Sequence, residues 1–197
     1  MISGAWMWVV WTPIIVVVAL LQVRRRAPWW HTLGVLALIT YAFWIASAAF
    51  FPIPTEHGPG LSMSAVNLVP FRQLVRSFGY LSQGQIIRQH GGNFLLLVPF
   101  TLLVPSLWPR LRAWRWALAI GVGASAAIEL LQLAISVLVG QSFRSTDIDD
   151  VILNTAGALF GYALFVGARG VLHALRREAS EPAAGKREPD RDQEAPS

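Results

Sequence analysis

The chain has 197 residues, of which 54% are hydrophobic, 14% are charged and nine are Trp. This balance indicates a small multi-pass membrane protein rather than a soluble domain, and the length is enough for one helical bundle. The absence of Cys excludes a disulfide framework, a thiolate metal site and a cysteine nucleophile. The net charge of +5 does not indicate a nucleic-acid partner, because the arginines flank apolar runs as they do in membrane proteins.

Five apolar runs are long enough to span a bilayer, which predicts an all-α integral membrane bundle of five transmembrane helices. The first run precedes Arg24, Arg25 and Arg26, the reverse of the order in a cleaved signal peptide, so we interpret it as an uncleaved anchor. The third run begins at the Gly91-Gly92 pair. The predicted helices cover residues 5–23, 31–51, 91–108, 113–139 and 150–168.

The chain is expected to have three parts. Residues 1–30 form a transmembrane helix with a basic cytoplasmic turn, residues 31–170 form the main transmembrane domain, and residues 171–197 form a cytoplasmic tail. From Glu178 onward the sequence is rich in Glu, Asp, Pro and Ala and has almost nothing apolar to bury, which predicts disorder.

The distribution of arginines predicts the orientation. With the N-terminus outside, nine arginines fall on the cytoplasmic side and four on the outer side, as the excess of positive charge in cytoplasmic loops requires. The four outer arginines are Arg72, Arg76, Arg88 and Arg144. The protein is therefore expected in the cell membrane with its N-terminus outside and its C-terminus in the cytoplasm, and its polar loops face outward.

The long connection between the second and third predicted helices contains an amphipathic segment. Its apolar residues recur at helical spacing, which predicts a short interfacial helix on the outer leaflet. Pro70 would suit its first turn, and Asn67 lies near its cap or is a functional polar group. The apolar residues are Leu68, Phe71, Leu74, Val75, Phe78 and Leu81.

Glu129 is the carboxylate inside the fourth predicted helix. Taking ~1.5 Å per residue to Gly140, it lies roughly 16 Å below the outer end, near the middle of the membrane. An ionisable group at that depth nearly always faces the bundle interior and is a functional candidate. Gln132 shares its face of the helix. The alternative is that Glu129 only fixes helix packing.

The most informative stretch is residues 144–161, where acidic residues stand directly against an apolar run. Asp147, Asp150 and Asn154 share one helical face, whereas Asp149 points elsewhere. The alternative, that these acids are a helix cap and complement the helix dipole, does not explain Asn154 within the membrane or Arg144 beside it.

Two further features of the helices are less specific. Gly157 and Gly161 form a pair spaced for close helix packing. Asn93, at the outer start of the third predicted helix, is either a cap or a site residue. We therefore expect one outward-open pocket formed by eight polar residues. They are Asn67, Asn93, Glu129, Gln132, Arg144, Asp147, Asp150 and Asn154.

Several chemistries lack a motif here, including Gly-rich phosphate loops, zinc-binding His pairs and a serine elbow. The spacing of Asp147, Asp149 and Asp150 is compatible with a hard divalent cation such as Mg²⁺. This signal is weak, and we predict no dedicated metal site or other cofactor.

Four segments together resemble the VanZ-like family of integral membrane proteins. One departure is Thr101, where that family commonly has Gly after Pro-Phe. The resemblance implies a cell-envelope membrane protein, associated in its named member with raised resistance to the glycopeptide teicoplanin, and implies no reaction. The segments are residues 67–71 (Asn-Leu-Val-Pro-Phe), 92–100 (Gly-Asn-Phe-Leu-Leu-Leu-Val-Pro-Phe), 129–132 (Glu-Leu-Leu-Gln) and 144–157, which contains Asp-Ile-Asp-Asp and Asn-Thr-Ala-Gly.

The hypothesis from these observations is an outward pocket that engages a lipid-linked cell-wall component, a lipoglycopeptide or another amphiphile among the membrane lipids. Arg144 and Arg72 would contact a phosphate or carboxylate, while Asp147, Asp150 and Glu129 would supply acceptors or acid/base groups. Three alternatives are a membrane hydrolase or transferase, a small proton-coupled transporter, and a non-catalytic binding or scaffold protein.

Overall fold

The computed structural model describes residues 6–53, 60, 66–141 and 145–180. Within them the chain is helical except for connecting turns and one pair of two-residue strands. The helices are α1 (Trp6–Arg24), α2 (Trp29–Phe50), α3 (Arg72–Tyr80), α4 (Gln83–Ile86), α5 (Gly92–Leu96), α6 (Val98–Leu107), α7 (Trp114–Val139) and α8 (Ile148–Ser180), and the strands are β1 (Val66–Asn67) and β2 (Thr146–Asp147).

Five helical stretches in the described residues are long and apolar enough to cross a membrane, which confirms the predicted all-α membrane bundle. Many of their large apolar side chains are exposed, as expected for surfaces that face lipid. The first, second and fourth stretches agree with the predicted helices to within two residues.

The third stretch differs, because it begins at Gln83 rather than at residue 91. The Ser82 amide donates to Gln85 Oε1 at 2.9 Å, an arrangement in which the third helical residue satisfies a free donor at the helix start. A π-helical turn, Ile87–Gly91, then joins α4 to α5. The Gly91-Gly92 pair therefore lies inside a continuous helical run and does not begin it.

The fifth stretch extends to Ser180, well beyond the predicted end at residue 168. The added turns contain Ala, Leu, Arg and Glu, which are good helix formers, so the helix continues after the apolar run has ended. The described residues from 166 onward form a second unit, and their side chains up to residue 179 are exposed. The rest of the tail that was expected to be disordered, from residue 181 onward, lies outside the described residues.

The apolar core of the first unit lies between α2 and α6. Its buried members are Val35, Leu38, Val104 and Leu107. A Cβ at Gly34 would lie 2.6 Å from Leu107 Cδ2, so the missing side chain allows these helices to pack closely.

Helix α8 packs even more closely against α5 and α6 through two of its four glycines. A Cβ at Gly157 would lie 1.7 Å from the Phe94 carbonyl oxygen, and one at Gly161 would lie 2.4 Å from the Val98 carbonyl oxygen. Thr101, where the resembling family commonly has Gly, is buried against Gly161 and donates to the Leu97 carbonyl at 3.1 Å. This close packing brings the first turns of α8 against α5.

The amphipathic segment before the third span forms α3, whose apolar side chains Val75 and Phe78 are each 68% exposed. The expectation that Pro70 occupies its first turn and Asn67 caps it is wrong, because the helix begins at Arg72 and Asn67 lies in β1. Phe71 precedes the helix with φ of 62°, a left-handed conformation that is uncommon for a non-glycine residue.

Candidate functional site

The site is assembled by the two short strands, which are distant in sequence. β1 pairs with β2 in parallel, with Val66 opposite Thr146 and Asn67 opposite Asp147. This pairing fixes the segment before α3 beside the start of α8. The polar residues of both segments therefore reach the C-terminal half of α7.

Asp147 is the central member of the resulting network and is only 4% exposed. Its Oδ1 accepts hydrogen bonds from Asn67 Nδ2 at 2.8 Å and from the Asp149 amide at 2.9 Å. Its own amide donates to Glu129 Oε2 at 3.0 Å. Asp147 therefore joins β1, the start of α8 and α7 through one buried residue.

Asp149 points away from this network and binds the start of α3. Its Oδ1 accepts from the Phe71 amide, and its Oδ2 accepts from the amides of Gln73 and Leu74 at 2.9 Å each. The first amides of a helix have no partner within the helix, and a carboxylate is the preferred acceptor for them. A residue of α8 thus performs the capping role that the sequence suggested for Asn67.

Asp150 and Gln132 complete the contacts between helices. Asp150 Oδ1 accepts a hydrogen bond from Asn93 Nδ2, which ties α8 to α5. Gln132 Nε2 donates at 3.0 Å to the carbonyl of Ala49, one of the free carbonyls in the last turn of α2.

A cavity of about 790 Å³ opens beside these contacts. Its polar lining includes six of the eight residues expected to share a pocket. Of the other two, Asn67 does not line the cavity and Arg144 lies outside the described residues. The six are Asn93, Glu129, Gln132, Asp147, Asp150 and Asn154. The volume is in the range of small-molecule binding sites.

Asn154 differs from its neighbours in the cavity because one of its buried atoms has no partner. It is 3% exposed, and its Oδ1 accepts no hydrogen bond from any described residue. A buried acceptor that is left unpaired costs about 1–3 kcal/mol. An unpaired acceptor in the lining of a cavity is what a ligand donor would satisfy.

The profile of the VanZ/LLP1 family matches residues 33–172, which is most of the chain and includes every element that lines the cavity. The chain belongs to the VanZ/LLP1 family. Comparisons with curated proteins and with solved structures gave no match. The protein is thus a multi-pass membrane protein of VanZ-like type.

Three of the expected site residues lie elsewhere in this VanZ/LLP1 protein or cannot be placed. Asn67 supports the site through Asp147 but does not line the cavity. Arg72 is exposed at the start of α3 and does not line the cavity either. Arg144 lies outside the described residues.

One arginine that sequence reasoning counted only for orientation does line the cavity. Arg88 belongs to the π-helical turn, and Gln85 and Gln89 line the cavity beside it. These three residues are spaced i, i+3 and i+4, a pattern that places side chains on one helical face and was visible in the sequence. Their side chains can donate hydrogen bonds, whereas the carboxylates and Asn154 in the same lining can accept them.

An aromatic pair from α2 was also not anticipated. Tyr41 and Trp44 both line the cavity, and their rings stack with centroids 5.6 Å apart and an angle of 22°. The Tyr41 hydroxyl donates to the Leu96 carbonyl at 3.2 Å, which fixes the ring. Two stacked aromatic rings therefore line the cavity in addition to its polar side chains.

The aspartates that might have held Mg²⁺ do not form one group. Asp149 directs both carboxylate oxygens to the amides of α3, whereas Asp147 and Asp150 line the cavity. In the part of the chain that the structure describes, no cluster of three His, Asp or Glu side chains is arranged to hold a metal ion.

A buried contact between a serine and a histidine joins α3 to the π-helical turn. Ser77 Oγ is 2.8 Å from His90 Nε2 and donates to the Leu74 carbonyl at 2.6 Å. Because the single hydroxyl proton goes to Leu74, the His90 Nε2–H must be the donor to Ser77. Ser77 is fully buried and has no path to a substrate, so this contact anchors α3 to the π-helical turn and is not a nucleophile with its base.

Proposed function

We propose that the polar cavity binds the head of an amphiphile, either a lipid-linked cell-wall component or a lipoglycopeptide antibiotic, and that this binding contributes to teicoplanin-type resistance. The observation that carries the proposal is the unpaired Oδ1 of Asn154, buried in a cavity whose three carboxylates, in contrast, all accept hydrogen bonds. Evolved folds rarely keep such an atom unless water or a ligand satisfies it.

The chemistry of the lining suits a polyhydroxylated, anionic head. Each carboxylate in the cavity can accept several hydrogen bonds, so Glu129, Asp150 and Asn154 offer acceptors to sugar hydroxyls. Arg88 offers a planar cation to a phosphate or carboxylate on the opposite side. The rings of Tyr41 and Trp44 offer a flat apolar surface to the face of a sugar.

The proposed orientation gives such a ligand access from outside the cell. The cavity is lined by the C-terminal half of α2, the outer half of α7 and the first turns of α8. If the arginine asymmetry sets the topology, these ends face outward, where cell-wall intermediates and glycopeptides are found.

The test is binding of a cell-wall glycolipid to the purified full-length protein, with Asn154→Leu compared with wild type. Removing one hydrogen bond lowers affinity by roughly twofold to tenfold. Because the unpaired atom is also removed, we expect the thermal unfolding temperature to stay the same or to rise. Ser106→Ala is the control, since Ser106 is a polar residue of α6 outside the cavity. Equal affinity of the wild type and Asn154→Leu would contradict the proposal.

A second candidate, an enzyme with acid/base groups, is favoured by three carboxylates lining one cavity. Glu129→Gln separates the two functions, because the amide still accepts from the Asp147 amide but can no longer exchange a proton. An enzyme would bind its ligand and lose resistance in this variant. A binding protein would keep both.

A further inference from the structure

A second cavity, of about 680 Å³, lies between α2, α6 and α7. Its lining is apolar except for the indole N–H of Trp108, and it includes Ala42, Ile45, Val104, Ile120 and Ala124. All these residues belong to helical stretches that are long and apolar enough to cross a membrane or, in the case of Trp108, directly follow one. A cavity of this composition suits a hydrocarbon chain.

The apolar cavity adjoins the polar cavity. Ile128 lines both, and the neighbouring residues Leu96 and Leu97 line the polar and the apolar cavity respectively. Along α7 the polar lining runs outward from Ile128 to Gln132, and the apolar lining runs inward from Ile128 to Ile120. At ~1.5 Å per residue the apolar part extends for roughly 12 Å along the helix.

The same order is found on α2. Ala48 and Ala49, near its C-terminal end, line only the polar cavity, and Leu38, further back, lines only the apolar cavity, while residues 41–45 between them contribute to both. Both helices therefore change from polar-cavity to apolar-cavity lining in the same direction along the bundle. The two cavities therefore adjoin at Ile128, and the lining beyond it on the apolar side contains no charged residue.

We propose that the apolar cavity holds the hydrocarbon chain of the same molecule whose head occupies the polar cavity, with Ile128 at the junction. The proposal rests on the proposed function and narrows the ligand to an amphiphile with a polyhydroxylated anionic head and an acyclic hydrocarbon chain. The arrangement matches such a molecule in order, since Arg88 and the carboxylates lie beside the polar part and only apolar side chains follow. A chain from a bulk membrane lipid is the competing occupant.

The experiment maps the chain directly by photo-crosslinking in nanodiscs that contain the full-length protein. The probe is N-acetylglucosamine linked through a diphosphate to a farnesyl chain that carries a diazirine. The competitor is N-acetylglucosamine 1-phosphate, which has the head but no chain. We expect labelling on the side of α7 that lines the apolar cavity, at Ala124 or Ile128, and loss of this labelling when the competitor is in excess.

Two variants of α7 make the mapping specific. Ala124→Phe fills the apolar cavity and should abolish labelling there, whereas Val122→Phe adds the same ring to an exposed position outside both cavities and should leave it unchanged. Ala42→Phe fills the cavity from α2 and serves if Ala124→Phe does not fold.

The outcomes separate the two proposals. If the competitor displaces the probe but the label lies on lipid-facing residues such as Val122, the chain proposal is wrong and the head-binding proposal stands. If a phosphatidylcholine with a diazirine in its acyl chain labels the apolar cavity as strongly as the glycolipid probe and the competitor does not reduce this labelling, the occupant is bulk lipid and the chain proposal fails. If the glycolipid labelling neither saturates nor responds to the competitor, both proposals fail.

Discussion

Gly157→Ala tests whether the close approach of α8 to α5 holds the candidate site together. The added Cβ would lie 1.7 Å from the Phe94 carbonyl oxygen, whereas an ordinary contact needs at least 3.4 Å. The obstructing atom belongs to the backbone, so no side-chain rotation relieves the clash. The two helices must therefore separate by about 1.7 Å, which is enough to break the hydrogen bond between Asn93 and Asp150.

The magnitude follows from two opposing effects. Forcing an extra methyl group into a close-packed interface costs about 1–3 kcal/mol, whereas replacing Gly by Ala within a helix gains about 1 kcal/mol. Gly123→Ala is the matched control, because it lies in α7 and has no atom within 4 Å of the added Cβ. Because the helix-propensity gain is common to both variants, we expect Gly157→Ala to be less stable than Gly123→Ala by about 1–3 kcal/mol.

The assay is thermal unfolding of the two purified variants in the same detergent, followed by binding of the glycolipid probe. Gly157→Ala should unfold at a temperature several degrees lower and bind more weakly, while Gly123→Ala should match or exceed the wild type in stability. Equal unfolding temperatures for the two variants would refute the packing argument, because α8 and α5 would then have room for the added methyl group.

Three further outcomes are expected. Asp149→Asn should weaken the acceptor at the start of α3 by about 2 kcal/mol, which would raise amide hydrogen exchange there roughly thirtyfold, and unchanged exchange would contradict the capping role. Ser77→Ala should cost about 1 kcal/mol and leave ligand binding and resistance intact, whereas loss of resistance in a folded variant would show that the Ser77–His90 contact is catalytic. In this Cys-free chain, Gln83→Cys should react with an impermeant thiol reagent on intact cells and Arg110→Cys only after lysis, and the reverse pattern would overturn the orientation.

The membrane helices could be predicted from the sequence because lipid imposes a local rule. A backbone in hydrocarbon must satisfy its own hydrogen bonds, so apolar length alone identifies a span. The boundaries were less accurate where that rule does not apply. The start at Gln83 depends on a capping interaction, and the extension of α8 to Ser180 depends on helix propensity outside the apolar run.

The candidate site could be predicted only in part, because its assembly is nonlocal. Helical spacing and depth selected Glu129, Asp150 and Asn154, all of which line the cavity. The pairing of β1 with β2 joins residues about eighty positions apart and leaves no local pattern in the sequence. Arg88 was missed because the third helix was predicted to begin at residue 91, which left Arg88 in the preceding connection rather than on a helical face.

The start of α8 explains why mutations in this region need careful interpretation. Within four consecutive residues it connects to β1 and α7 through Asp147, to α3 through Asp149, and to α5 through Asp150. Loss of function at any of these residues would follow equally from a disturbed fold and from a damaged binding site.

Two cavity residues are free of that ambiguity. The Oδ1 of Asn154 makes no hydrogen bond with any described residue, and Arg88 is an exposed side chain with no ion pair among them. Neither group has a hydrogen bond or ion pair in the described fold whose loss would destabilise it, so a folded Asn154→Leu or Arg88→Gln variant that loses ligand binding has lost it at the site. The case for a ligand in this cavity is therefore strongest at the two residues that contribute least to the fold.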